Sequence, residues 1–247
     1  MTRANAVRAL AVGAVLALWI PAFGLVDLTT SWFLDDRTLV HDLGYGAMTG
    51  ILAPAGLLAQ VRRPGKAVAG LQQIALCAVA FALAGLLADA GYLVLAGGLA
   101  AVLALLLVLH PVGGMALAVP DELSPLLVTL ALLPGAPLVL YALDAAEKQR
   151  EGAPPVDFHA GLGSWGGLTA MGVGIALVAL LASARTSGWR TPVWSSAAAA
   201  AVWGAGCSTH PDVAGSEGRI WGALAVAWAL AFVLAAYAVQ RRAAPTE

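Results

Sequence analysis

The sequence predicts an all-α, polytopic transmembrane helical bundle with eight spans, and three observations predict it. Of the 247 residues, 60 % are hydrophobic and only 11 % are charged, and the mean hydropathy of +0.85 lies far above that of a soluble domain. Eight uncharged runs approach the ~20 residues with which a helix crosses the hydrocarbon core. Runs of this length satisfy their backbone as helices, whereas barrel strands are shorter and alternate.

The eight predicted spans are free of Asp, Glu, Lys, Arg and His. They cover residues 9–26, 43–61, 67–88, 90–109, 123–143, 160–184, 192–208 and 220–239. The run 192–208 is short and rich in alanine, so seven spans remain an alternative. Arg3 and Arg8 precede an apolar run, as in a secretory signal, but no small-x-small cleavage site follows. We therefore expect a retained first helix.

The basic residues predict the orientation, because loops rich in Lys and Arg stay in the cytoplasm. With both termini cytoplasmic in the plasma membrane, nine of the 13 Lys and Arg residues lie inside. These nine are Arg3, Arg8, Arg62, Arg63, Lys66, Arg185, Arg190, Arg241 and Arg242. An even number of spans agrees with this arrangement.

The two halves of the chain, 1–122 and 123–247, suggest a parallel internal repeat of four spans each. A shift of 117 residues places Asp144 on Asp27 and Gly161 on Gly44, and it also pairs Gly163 with Gly46 and Gly167 with Gly50. Chance is the alternative explanation, because an apolar chain with 28 glycines generates such matches easily. The small-xxx-small spacing of these glycines predicts that spans two and six are central.

Polar residues gather at the predicted extracytoplasmic ends of the spans. Asp27 ends span one, Asp89 joins spans three and four, Asp144 ends span five and His159 opens span six, so these four are the candidate catalytic residues. Asp42 lies in the same group, and the candidate ligands of a divalent metal such as zinc are His41, His159, His210 and Asp212. No His-Glu-x-x-His or Cys-x-x-Cys motif supports a metal, and helix capping with interfacial pairing explains the same residues.

The composition limits the function without selecting one. With 13 basic and 14 acidic residues the chain has no basic surface for nucleic acid, and its predicted partners are membrane lipids; no protein partner is indicated. Our first hypothesis is a membrane-embedded enzyme acting on a lipid or an isoprenoid. The alternatives are a transporter or facilitator of a small solute and a membrane subunit without catalysis. The lack of a charge within any run argues against ion-coupled or proton-coupled transport.

Overall fold

The protein is helical throughout the part described by the computed structural model. That part comprises residues 2–34, 37–110, 113, 117, 123–154 and 162–242. Within these ranges the chain forms ten α-helices and one π-helix, and it forms no β-strand. The chain is therefore a helical bundle, in agreement with the predicted fold class.

The helices follow one another along the chain in this order. They are α1 (Arg3–Trp19), α2 (Gly24–Leu34), α3 (Leu39–Gly46), a π-helix (Ala47–Leu52), α4 (Ala53–Arg62), α5 (Val68–Leu87), α6 (Tyr92–Leu109), α7 (Pro125–Arg150), α8 (Ser164–Ser183), α9 (Arg190–Thr209) and α10 (Gly218–Arg242).

Six helical stretches are long and apolar enough to cross a membrane. They are Arg3–Phe33 and the helices α5, α6, α7, α8 and α10. The other two predicted spans also coincide with helix, but the π-helix divides the segment from α3 to α4, and α9 carries several Ser and Thr residues. The number of eight spans and the internal repeat therefore stay predictions.

The bundle has a central layer and an outer layer. In the apolar windows of α8 and α5, 72 % and 61 % of the residues are buried, against 22 % in Arg3–Phe33 and 28 % in each of α6, α7 and α10. The segment from α3 to α4 and the helix α9 are also mostly buried. A helix that packs inside the bundle meets little lipid, which explains why the alanine-rich α9 can have a low hydropathy.

Two glycines bring α9 close to α10. A Cβ atom added to Gly204 would lie 2.6 Å from the carbonyl oxygen of Gly222, and one added to Gly222 would lie 2.5 Å from the carbonyl oxygen of Gly204. Because only residues without a side chain permit this backbone approach, the two helices pack as a tight antiparallel pair.

The two ends of the bundle differ in charge. At one end the Nε of Arg8 donates to the carbonyl oxygen of Val61, close to Arg62 and Arg63, and we call this the arginine end. At the other end the carboxylate of Asp89 accepts from the backbone N–H of Gly163, and we call this the acidic end. Every described Asp and Glu lies toward the acidic end; these are Asp27, Asp42, Asp89, Asp144, Glu147, Glu151, Asp212 and Glu217.

Candidate functional site

The first apolar stretch is a broken helix. The chain turns between Trp19 and Gly24, where Pro21 lacks a backbone donor and Phe23 has a positive φ of 58°. The second half, α2, then begins against Thr49 and Gly50 of the neighbouring segment, and Asp27 lies in its first turn. The break therefore places a carboxyl group at the start of a half-helix.

The neighbouring segment is interrupted at the same level. The π-helix Ala47–Leu52 joins α3 to α4, and Pro54 has no N–H to donate to the carbonyl oxygen of Gly50. That oxygen accepts a hydrogen bond from Nε1 of Trp19 at 3.0 Å. The carbonyl oxygen of Leu52 accepts one from Nε2 of Gln73 at 2.6 Å. Side chains from two other helices thus satisfy the backbone around this interruption.

The two interruptions are in direct contact. A Cβ atom added to Gly24 would lie 2.6 Å from the carbonyl carbon of Thr49, and one added to Gly50 would lie 2.5 Å from the carbonyl oxygen of Gly24. Gly50 precedes Arg62 by about 18 Å of helix, roughly half the length of a transmembrane helix. Leu28 packs on both Gly46 and Gly50, so its neighbour Asp27 lies beside this part of the segment, with its side chain buried.

Three side chains form a buried polar cluster between α2 and α3: Asp27, Asp42 and Tyr45. Their exposed fractions are 1 %, 8 % and 2 %. Asp42 lies close enough to act electrostatically on Asp27, and Asp27 acts on Tyr45 in the same way. The hydroxyl of Thr38 donates to Oδ2 of Asp42 at 3.2 Å. Two carboxyl groups thus act on each other electrostatically where charge is poorly solvated.

His41 is also fully buried, but it lies on the side of α3 that faces α8. Its ring meets the indole of Trp165 edge-on, with 4.6 Å between the centroids, and Lys148 acts on it electrostatically. Neither ring nitrogen of His41 has a hydrogen-bond partner among the described residues. A buried imidazole usually satisfies at least one nitrogen, so among the described residues this ring has an N–H donor and an acceptor nitrogen that are both unused.

Asp89, a candidate catalytic residue, caps the backbone. Its Oδ2 accepts from the N–H of Gly163 at 2.7 Å, and its Oδ1 accepts from the N–H of Gly91 at 2.8 Å. The hydroxyl of the buried Tyr92 donates to the carbonyl oxygen of Gly163 at 2.9 Å. Asp89 and Tyr92 therefore fix the start of α8 against the start of α6.

The remaining candidates lie apart from the cluster or outside the described residues. Asp144 is exposed and pairs with Lys148 at 2.6 Å within one turn of α7. His210 lies in the loop after α9, where its Nδ1 is 2.9 Å from the hydroxyl of Thr209, and Asp212 is exposed. His159 falls outside the described residues. In the part of the chain that the structure describes, no three His, Cys, Asp or Glu residues come together as a metal site.

The sequence interpretation identified Asp27, His41 and Asp42 but missed the residues that surround them. Tyr45 and Trp165 lie within predicted spans and read as ordinary packing residues, and Trp19 reads as an interfacial anchor. Pro21 and Pro54 were the available signals, because each removes a backbone donor inside an apolar run. The sequence does not show that these two prolines lie at the same level, because that depends on how the helices pack.

No protein-family model, curated protein or solved structure matches this chain.

Proposed function

We propose that this chain is a proton-coupled carrier of a small solute in the plasma membrane, with eight spans and both termini in the cytoplasm. The observation that carries the proposal is the burial of Asp27, 1 % exposed, in the first turn of a half-helix that begins against the π-helix. A buried ionisable residue in a membrane bundle generally marks an ion or proton path. The lack of a charge within the predicted spans argued against proton coupling. That argument no longer applies to the first stretch, because its helix extends beyond Asp27 to Phe33.

The acid pair is suited to binding a proton. Asp27 and Asp42 interact electrostatically in an apolar bundle, where two negative charges side by side are costly. A single proton relieves this repulsion, and its release restores it. Protonation therefore changes the energy of the contact between α2 and α3, which is what coupling of a proton to a conformational change requires.

The paired interruptions support movement at this point. Broken helices near the middle of the bilayer form the binding sites of many secondary transporters, and π-helical turns occur often at functional sites. In this chain the turn before α2 and the π-helix meet through Gly24 and Gly50. We propose that these two glycines let the half-helix α2 shift against the segment from α3 to α4.

We also propose that the halves are related by a parallel repeat, with a shift of 120 residues rather than 117. At this shift the segment Tyr45–Ile51 aligns with Trp165–Met171, and each reads aromatic, Gly, small, large apolar, Thr, small, large apolar. The hydroxyl of Thr49 donates to the carbonyl oxygen of Tyr45 at 2.8 Å, and that of Thr169 donates to the carbonyl oxygen of Trp165 at 3.1 Å.

The packing of the helices supports the same relation. Helices α1 and α2 pack on the segment from α3 to α4 as α7 packs on α8, and α5 packs on α6 as α9 packs on α10. Across the halves, α5 contacts α8 as α9 contacts the π-helix, while α3 and α8 contact each other. This pattern fits a two-fold axis along the membrane normal between α3 and α8.

Carbodiimide labelling tests the proton site. Dicyclohexylcarbodiimide is an apolar reagent that modifies protonated carboxyl groups in membranes, and mass spectrometry identifies the modified residue. We expect modification of Asp27 at mildly acidic pH that declines as the pH rises, with little modification of the exposed and ion-paired Asp144. Equal modification of the two residues would contradict a proton-binding role for Asp27.

Transport currents test the coupling. Purified protein in proteoliposomes is adsorbed on a supported membrane and challenged with neutral sugars, polyols and amino acids under a pH gradient. We expect a solute-dependent proton current that Asp27→Asn abolishes and that the matched control Asp144→Asn retains. A current of equal size in both variants would show that Asp27 is not the coupling group.

A membrane-embedded enzyme is the second candidate, and the unbonded ring nitrogens of His41 favour it. With Asp42 beside it in sequence and Trp165 against its ring, His41 could act as a general base on an isoprenoid or another lipid, with or without zinc. Zinc in stoichiometric amount in the purified protein, lost in His41→Ala but retained in His210→Ala, would favour this candidate over the carrier.

A further inference from the structure

A groove opens between α9 and α10 at the arginine end of the bundle. It is shallow and open to the outside, and it is lined by Arg190, Trp194, Val233, Tyr237 and Gln240, among others. Trp194 and Tyr237 are 52 % and 48 % exposed, and their rings meet edge-on with 6.3 Å between the centroids. The groove therefore opens on the outer surface of the bundle, where lipid would surround it.

The polar side of this groove is positively charged, and it has no acidic partner in the part of the chain that the structure describes. Arg190 is exposed at the start of α9, and Arg241 and Arg242 end α10 nearby. All the described carboxylates lie toward the acidic end, and Arg190 forms no ion pair within the described residues. A guanidinium group in this position has the geometry and charge to bind a phosphate group.

The apolar side of the groove continues along the surface of α10. Val233 lines the groove, and Leu230 and Leu234 are 64 % and 67 % exposed in the adjoining turns. A phosphate ion would use only the arginine, whereas a phospholipid would also lay an acyl chain on this surface. The aromatic pair Trp194 and Tyr237 lies between the two regions, as such residues do at a membrane interface.

We infer that this groove is a binding site for an anionic phospholipid, with the head-group phosphate on Arg190 and Gln240 and an acyl chain along Val233. Basic pockets between transmembrane helices at the cytoplasmic side bind such head groups. The inference does not depend on the carrier function, because the groove lies at the opposite end from the buried polar cluster. It predicts selectivity for phosphatidylglycerol over phosphatidylcholine.

Native mass spectrometry of the full chain tests the inference. The protein is released from nanodiscs that contain phosphatidylglycerol and phosphatidylcholine in equal amounts, and the retained lipids are counted. We expect selective retention of phosphatidylglycerol, with roughly tenfold weaker binding in Arg190→Gln, as the loss of a charge-assisted hydrogen bond implies. The control Arg63→Gln removes one charge from an exposed position at the same end and should retain the lipid.

Three results would overturn the inference. They are equal retention of the two lipids, equal loss of phosphatidylglycerol in both variants, and displacement of the lipid by millimolar inorganic phosphate. The first two indicate attraction by the overall charge of this end, and the third indicates a site for a free anion. Failure of the carrier experiments would leave this measurement unaffected, since it reads lipid binding and not flux.

Discussion

The indole nitrogen of Trp19 donates a hydrogen bond to the carbonyl oxygen of Gly50 at 3.0 Å, and this bond joins the two interrupted helical segments where each is broken. Trp19 is the last residue of α1, and Gly50 lies in the π-helix. The bond supplies a donor to a carbonyl that receives none from Pro54. It thereby fixes where α1 ends and where α2 and its carboxyl group begin.

Substitution of Trp19 tests the importance of this bond. We expect Trp19→Phe to lower the free energy of unfolding by about 1–3 kcal/mol, because it removes the donor from a buried carbonyl oxygen. The control Trp221→Phe changes a residue that is 50 % exposed and should stay within about 0.5 kcal/mol of the wild type. Unfolding in mixed micelles, followed by circular dichroism, measures both. Equal losses in the two variants would contradict a special role for Trp19.

The contact between Gly24 and Gly50 has no room for a side chain. Gly50→Ala would place its Cβ atom 2.5 Å from the carbonyl oxygen of Gly24, and we expect overpacking to destabilise the protein by about 1–3 kcal/mol. Gly97 in α6 has open space around its Cβ position, so Gly97→Ala should leave stability unchanged or raise it slightly. Thermal unfolding in detergent compares the two. A stable Gly50→Ala variant would mean that α2 can move away from the π-helix at little cost.

Substitution of Asp89 should lower the free energy of unfolding much more than substitution of Asp144. Asp89→Ala leaves two backbone N–H groups at the starts of α6 and α8 without their acceptor, and we expect a loss of about 1–3 kcal/mol. Asp144→Ala removes an exposed ion pair within one helical turn, and we expect a loss of at most about 0.5 kcal/mol. The free energy of unfolding decides between them. The opposite ranking would show that the cap on Gly163 contributes little.

We expect His110 to make the stability depend on pH. It follows the last residue of α6 and is buried, and burial lowers its pKa from the ordinary value of 6.5 because the charged imidazole is poorly solvated there. The unfolded chain therefore takes up a proton first as the pH falls below 6.5, and stability declines from that point downward. We expect the melting temperature of His110→Gln to decline less than that of the wild type over this range. Equal declines of the melting temperature in the two proteins would show that His110 does not cause this pH dependence.

The sequence predicted the helices well, because each charge-free run had to satisfy its own backbone. The depth of Asp27 could not be predicted in this way. The uncharged run ends at Val26, which suggests a residue at the membrane surface, but the turn at Pro21 and the bond from Trp19 set α2 against the π-helix. Asp144 also follows an uncharged run, yet α7 continues past it as a regular helix and leaves it exposed beside Lys148.

The candidate site was predicted in part for a similar reason. Local sequence shows that His41 and Asp42 lie at the start of a helix, but it does not show which faces are covered. The burial of His41 comes from Trp165 and the loop at Gly215, which are more than a hundred residues away along the chain. His210 and Asp212 have the same residue types but lie in a partly exposed loop.

The tight packing of α9 on α10 has a consequence for biogenesis. A segment as rich in alanine and serine as α9 gains little from entering lipid alone, whereas α10 is strongly apolar. During synthesis α9 should therefore remain in the aqueous part of the translocation channel until α10 has been made, and the two should enter the bilayer as a hairpin. A chain cut after Pro211 would leave α9 uninserted, and a glycosylation reporter fused at that position would record the failure.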